Sequence, residues 1–276
     1  MSVEPEGEGK TVFPGQSRRT IHDNVASPQT DTVLGKVGCI LQAFSADNAT
    51  LGISEIARTT GLAKATVYRL CSEMATLGLL DRHWSKFQLG LRLFELGSMV
   101  QRQRLLRDLA TPFLQDLLQK TNETIHLGIP VDGQVIYVVR LTGHQSHTAP
   151  SLLAGRAPMH CTATGKAMLA HLPSELVDSL MSGPLEEFTK FTIVARNVLD
   201  DELARVRSTG VAVENQEMSL NFCSVAAPIF GPGRRLLGAV SVTGPTTRVN
   251  IDPVAAEVRS AANRISDRAG TYWDLV

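Results

Sequence analysis

The sequence has no closely spaced cysteines, no net charge and no long apolar run, and each lack removes a class of protein. Its four cysteines, Cys39, Cys71, Cys161 and Cys223, are widely separated and form no CxxC pair. That spacing speaks against a disulfide framework or a zinc ribbon, and for a reducing, cytoplasmic setting. Lys and Arg number 27 and Asp and Glu also 27, so overall electrostatics announce no nucleic-acid partner and any such attraction is local. No apolar stretch reaches membrane-spanning length, and the first thirty residues hold neither a long apolar run nor a basic lead into one. Neither a membrane span nor a signal peptide is expected. No GxSxG elbow is present, and the run ending Gly165-Lys166 lacks both the first glycine of a phosphate loop and its hydroxyl residue after lysine. Nucleotide binding is therefore unsupported, and no cofactor is expected. His160 and Cys161 are neighbours, which in extended chain point to opposite faces, so they are poorly placed as nucleophile and base. The chain does not read as an enzyme.

What is present is enough apolar material, 43% of 276 residues, for two packed domains. The most informative stretch is Ile53 to Gly78, which reads as two helices joined by a tight turn. Ser54 is placed to cap the first helix, and Gly61 supplies a left-handed turn residue. In the second helix Val67, Leu70, Cys71, Met74 and Leu77 recur at spacings of three and four, which makes one buried face. Lys64, Ala65, Thr66, Tyr68, Arg69 and Ser72 occupy the other face. These small, hydroxylic and cationic groups suit phosphate oxygens and base edges in a major groove. A helical hairpin with a polar outer face is common in any helical protein, so the continuation decides. Leu79 to Leu89 contains two short runs around a polar centre, which predicts a β-hairpin with Arg82, His83 and Lys86 near its tip. Helix, turn, helix and basic hairpin in this order predict a winged helix-turn-helix that reads double-stranded DNA. Residues 31–92 carry seven Lys and Arg against five Asp and Glu, a weak local excess.

Around that unit, residues 1–30 have the composition of a flexible tail, in which Arg18 and Arg19 could touch DNA backbone. Val33, Val37, Ile40, Leu41 and Phe44 mark a helix completing a three-helix core. A connecting helix is expected from Leu91 to Leu109, apolar enough to pack on a second copy or on the next domain. Thr111-Pro112 then predicts a new helix start and a second domain. Beyond it come a hairpin over Thr124–Val139 turning at Asp132-Gly133, and a polar loop from Gly143 to Pro150. Helices are expected over Thr164–Leu172, Ser174–Met181 and Leu199–Thr209, strands over Val211–Glu214, Ser224–Phe230 and Leu236–Thr243, and a last helix over Pro253–Arg268. The second domain is therefore α+β with a mainly antiparallel sheet.

Gly155 to Ala167, GRAPMHCTATGKA, together with GVAVENQEMSLNFCSVAAPIF from Gly210 and GAVSVTGP from Gly238, resembles the IclR family of bacterial transcriptional regulators. The resemblance covers residues 31–270. It implies a winged helix-turn-helix domain over 31–91, a linker helix over 92–110, and a GAF-like effector-binding domain over 111–276. It also implies a small-molecule effector, often an organic or aromatic acid, and homodimers or tetramers on palindromic operators. By the same resemblance the effector pocket is lined by Ala157, Met159, Ala163, Thr164, Glu214, Cys223, Ser241 and Thr243. Backbone N–H groups near Thr164 would suit a carboxylate. Where the family has four acids in a row, this chain has Glu214-Asn215-Gln216-Glu217, and the segment to Cys223 is one residue shorter. The two amides either favour a less basic or neutral ligand or face solvent. The rival reading is a metal- or redox-responsive sensor using His126, His160, Cys161 and Cys223.

Overall fold

The computed structural model describes residues 31–45, 48–143 and 155–272. The expected N-terminal tail with Arg18 and Arg19, and most of the Gly143–Pro150 loop, lie outside the described residues. The chain forms an N-terminal helix-turn-helix domain and a C-terminal α+β domain. In the first, α1 (Val33–Gln42), α2 (Ile53–Thr60) and α3 (Lys64–Thr76) pack with strands β1 (Thr50–Gly52), β2 (Leu80–His83) and β3 (Lys86–Leu89). The strands form an antiparallel sheet in the order β1-β3-β2. Its core is apolar: Ile40, Phe44, Leu51, Ile56, Val67, Leu70, Cys71, Met74, Leu80 and Phe87 bury together. The root of the β2–β3 hairpin is thus anchored to the inner face of α3.

Local chemistry differs from expectation at several points. Ser54 is an exposed residue inside α2 rather than its cap. The cap position is Gly52, whose N–H donates to the Glu55 carboxylate at 2.7 Å. Gly52 is also the last residue of the short β1, which explains the shift. Gly61 does adopt the left-handed conformation, at φ 72°, and its N–H closes the helix on Ala57. Leu77 is 67% exposed, because α3 ends at Thr76 and the chain turns away at Gly78. Val33 is likewise exposed, at the outer end of α1.

The connecting segment is two helices rather than one. α4 (Leu91–Ser98) ends before Met99-Val100, and α5 (Gln101–Thr121) then runs unbroken through Pro112. A helix start at Thr111 is therefore wrong. Proline removes one backbone donor, but Leu109, Ala110, Leu114 and Leu117 are all buried around it. Burial of that stripe outweighs the lost bond. The Thr111 hydroxyl, free of any capping role, donates to the Arg107 carbonyl at 2.7 Å.

The second domain is a six-stranded antiparallel sheet in the order β6-β5-β4-β9-β8-β7. Its strands are β4 (Thr124–Val131), β5 (Gln134–Leu141), β6 (Arg156–Pro158), β7 (Ala212–Asn215), β8 (Phe222–Phe230) and β9 (Leu236–Pro245). The β4–β5 hairpin turns at Asp132-Gly133, both at positive φ, as a tight two-residue turn requires. Helices cover both faces. On one side α5 and α9 (Ile251–Tyr272) pack on Ile125, Leu127, Ile129, Ala227, Ile229, Val240 and Val242. On the other, α6 (Ala163–Leu169), α7 (Ser174–Leu180) and α8 (Arg196–Thr209) pack on Val135, Tyr137, Ala157, Ala212, Ala226 and Ala239. The α6 side is where the layer departs from apolar packing.

Candidate functional sites

The outer face of α3 is the first site. Residue Ala63 precedes the helix with no side-chain cap, so the N–H groups of the first turn are left for an outside acceptor and carry the positive end of the helix dipole. Lys64, Ala65, Tyr68 and Arg69 are exposed, and Thr66 and Ser72 half-buried. Two of these groups are engaged within the helix: Arg69 pairs with Glu73 at 2.8 Å, and the Ser72 hydroxyl donates to the Tyr68 carbonyl at 2.8 Å. An exposed pair of this kind is worth little, so Arg69 can exchange Glu73 for a phosphate at small cost. Arg82 and Lys86 flank the hairpin tip. The Arg82 guanidinium folds toward it, donating from Nε to the Trp84 carbonyl at 3.4 Å, while Lys86 lies 3.9 Å from Glu55.

The second site follows from strand alternation, since every second residue of a strand faces the same way. The pairings Glu214↔Ser224, Ser224↔Thr243, Ala226↔Ser241, His126↔Ser241, Thr124↔Thr243 and Gly128↔Tyr137 put these residues on the α6 side of the sheet. They form a buried polar seam. Ser224 and Thr243 hydroxyls lie 2.9 Å apart, Thr243 Oγ1 is 3.5 Å from His126 Nδ1, and the His126 and Tyr137 rings are 4.7 Å apart. Across the gap the Tyr137 hydroxyl meets the Thr164 hydroxyl on α6 at 3.2 Å. Glu214 closes one end, its Oε1 accepting from the N–H groups of Glu217 at 2.8 Å and Met218 at 3.1 Å.

Burial sets the charge state of this seam. It pushes the Glu214 carboxyl up to about 7, against the pull of the Met218 and Ser224 hydrogen bonds. It pushes His126 down to about 3, helped by the nearby Arg140 positive charge, and raises Tyr137 to about 12. At neutral pH the ring and the phenol are uncharged and available as hydrogen-bonding groups.

Of the residues assigned to the effector pocket by resemblance, Ala157, Met159, Ala163, Thr164, Glu214, Ser241 and Thr243 fall on the α6 side. Cys223 does not. It is offset by one residue from Ser224 and packs on the opposite face with Val211, Val225 and Val249, and Ser224 occupies the corresponding inward position. Residue Asn215 is exposed, and Gln216 uses its side-chain oxygen to accept from the Asn221 N–H at 3.0 Å. Neither amide therefore belongs to the seam. Part of the α6 N-terminus is already occupied, because Thr162 Oγ1 accepts from the Gly165 N–H at 3.2 Å. Gly165 itself is obligatory: a Cβ there would stand 2.3 Å from Met159 backbone atoms.

The sensor reading loses its geometry. His160 hydrogen-bonds the Glu186 carbonyl at 2.9 Å, Cys161 Sγ lies 3.7 Å from Met218 Sδ, His126 sits in the seam, and Cys223 is behind the sheet. Among the described residues no three His, Cys, Asp or Glu side chains are grouped to hold a metal ion. Burial also raises the Cys161 thiol, and raises Cys223 to about 11, which keeps both thiols protonated and slow to oxidise.

Four residues escaped sequence reasoning. His126, Tyr137 and Ser224 belong to the seam, and for His126 a signal existed, since it alternates with Ile125 and Leu127. Lys166 is only 1% exposed; its ammonium pairs with the Glu217 carboxylate and lies 3.4 Å from Glu202, which also binds Arg205. This network ties α6 to α8 and to the segment between β7 and β8. Nothing in a lone lysine announces burial.

Residues 98–267 match the family described as "Bacterial transcriptional regulator IclR C-terminal", and residues 33–83 match its "IclR helix-turn-helix domain". The HTH-type transcriptional regulator XynR of Escherichia coli is 30% identical over 214 residues, spanning 76% of this chain and 85% of that one. The transcriptional repressor IclR of the same organism is 29% identical, over 82% and 86%. Among solved structures, an IclR homolog from Microbacterium hydrocarbonoxydans complexed with 4-hydroxybenzoate superposes with a TM-score of 0.82 at 26% identity, covering 87% of this chain and all of that one. The described residues contain no helix long and apolar enough to cross a membrane. With the matched C-terminal domain alone spanning more than half of its length, this chain belongs to the IclR family of bacterial transcriptional regulators.

Proposed function

We propose that this regulator works in the cytoplasm as a homodimer or tetramer on operator DNA and that an organic acid, aromatic acids included, is its effector. The buried seam of His126, Tyr137, Thr164, Ser224, Ser241 and Thr243 carries the effector reading. A domain that could have filled this layer with apolar side chains, as it does on the α5–α9 side, instead keeps hydroxyl and imidazole groups there. Arg140 stands across from His126 in the β4–β5 pairing and supplies positive charge on the same side, which favours a carboxylate over a cation. The solved relative bound to 4-hydroxybenzoate supports the same ligand class. Lys64, Ala65, Thr66, Tyr68, Arg69 and Ser72, with Arg82 and Lys86, form the DNA surface. The exposed apolar residues of α4 and its end, Leu91, Phe94, Leu96, Met99 and Val100, meet a second copy. Effector binding acts by having different affinity for two arrangements of those copies.

Mobility shift on the duplex upstream of the chain's own coding region tests this, with and without a panel of aromatic and aliphatic acids. Salt-sensitive binding that one acid weakens or strengthens is expected. Retention of full DNA affinity with every acid, together with an unmoved melting temperature, sinks the acid reading. A complete lack of DNA binding sinks the operator reading.

A further inference from the structure

We propose that Trp84 is a minor-groove wedge, an indole held out at the tip of the β2–β3 wing so that it enters operator DNA beside the groove read by α3. The proposal rests on the operator-binding reading above. Trp84 is 86% exposed, the highest value among the large hydrophobic residues described. It is also the first residue of a two-residue turn, since His83 pairs with Lys86, and its φ is 57° while Ser85 does not share the positive sign. Two-residue hairpins place glycine at a first position of this kind, because a Cβ there is strained. The fold therefore carries one of its two tryptophans where the backbone favours no side chain, and largely in water. Such an outlier points to a use outside the fold.

The surroundings indicate DNA as that use. Arg82, His83 and Lys86 are all exposed within two residues of the indole, and Asp81 is the sole acid of the hairpin, at its root. The Arg82 guanidinium donates to the Trp84 backbone carbonyl at 3.4 Å and lies over the Phe87 ring, which holds a cation at the base of the turn that carries the indole. The hairpin is anchored by Leu80 and Phe87 in the same core as Val67 and Leu70 of α3. Four residues of strand carry its tip about 13 Å from that root. Half a helical turn of duplex, the step from a major groove to the next minor groove, is about 17 Å, within reach of an extended indole. Apolar wedges in minor grooves unstack a base step and bend the duplex, while flanking arginines hold the narrow groove electrostatically.

The test compares wild type, Trp84→Gly and Trp84→Phe on the upstream duplex, with Arg69→Ala as a control of the operator reading itself. Trp84→Gly should weaken binding about tenfold and reduce the bend measured by circular permutation, yet leave the melting temperature no lower than wild type, because glycine relieves the turn. Trp84→Phe should keep most of both affinity and bend. Netropsin, which fills A·T minor grooves, should displace wild type more readily than Trp84→Gly. Unchanged affinity in Trp84→Gly, a fall in its melting temperature in step with affinity, or equal displacement of both proteins by netropsin overturns the wedge, and the operator reading stands apart from it where Arg69→Ala weakens binding. A loss of oligomer mass in Trp84→Gly would assign the tip to a second copy and overturn it too. Wild type that binds no duplex overturns the wedge together with the operator reading.

Discussion

The two domains place their candidate site residues on opposite sides of their cores. The N-terminal domain has an apolar interior, from Ile40 to Phe87, and keeps every DNA-facing candidate outside it. The C-terminal domain is apolar on its α5–α9 side and builds its candidate site into the α6 side, with Thr124, His126, Thr164, Lys166, Glu214 and Ser241 all buried. Recognition of a large charged partner needs only a surface held by a core. Enclosing a small molecule requires polar groups to be buried before the ligand arrives, and each must find a partner meanwhile. Folding and function are therefore separable in the first domain and entangled in the second.

Six substitutions test that contrast. The largest effect is expected from Val67→Asp, which buries an unpaired carboxylate beneath α3 and should cost more than about 4 kcal/mol. Loss of the N-terminal helical signal in thermal melts checks it, and DNA binding should vanish only because the domain has unfolded. Next, Lys166→Ala strips the buried Glu217 of its cation while Glu202 keeps Arg205, and should cost about 3–5 kcal/mol. Because Glu217 Oε2 already has no partner, Lys166→Ala with Glu217→Gln should recover part of that loss in a double-mutant cycle; purely additive effects would separate the network from the fold.

A smaller effect concerns pH. The folded state holds His126 near 3, below the unfolded value of about 6.5, so its contribution is present above 6.5 and lost as pH falls toward 3. His126→Gln should therefore reduce the loss of stability on acidification, by about 3 kcal/mol near pH 4.5. Glu214 acts with opposite sign: its folded value is raised to about 7, so its contribution is present below about 4.5 and lost as pH rises through 7. Between 4.5 and 6.5 the two offset each other, and Glu214→Gln should expose the histidine's slope. The smallest stability change belongs to Arg69→Ala. Within about 0.5 kcal/mol of wild type in stability, it should still weaken operator binding about tenfold in a mobility shift. A comparable loss of stability would erase the contrast between the domains.

The sequence disclosed periodic features and hid contextual ones. The α2–α3 pair, the wing and the β4–β5 turn are legible because their apolar spacing and turn residues act locally. The path of α5 through Pro112 is illegible, since Thr-Pro carries the local chemistry of a helix start and only the burial of Leu109, Ala110, Leu114 and Leu117 overrules it. The gap at Met99-Val100 follows Gly97-Ser98, a pair that weakens a helix, but the apolar spacing running on through Leu96, Met99 and Val100 conceals it. In the seam, resemblance supplied Ser241 and Thr243 but also Cys223, one residue out of step, while strand parity alone would have chosen Ser224. Lys166 shows the limit: its burial depends on Glu202 and Glu217, both far along the chain, and on nothing near it.

The two-sided sheet has a consequence for how such a protein changes over time. On β7, β8, β9 and β4 the side chains at 212, 214, 224, 226, 239, 241, 243 and 126 turn toward α6, and their immediate neighbours turn toward the helices behind. A saturation library across these strands would therefore give a tolerance profile that oscillates with a period of two. Even positions on β7, β8 and β4, and odd ones on β9, could be rewritten for new ligands without disturbing the layer that holds α5 and α9. A single inserted or deleted residue within a strand would exchange the two faces at once, so diversification is channelled into substitutions there and into length changes at the loops.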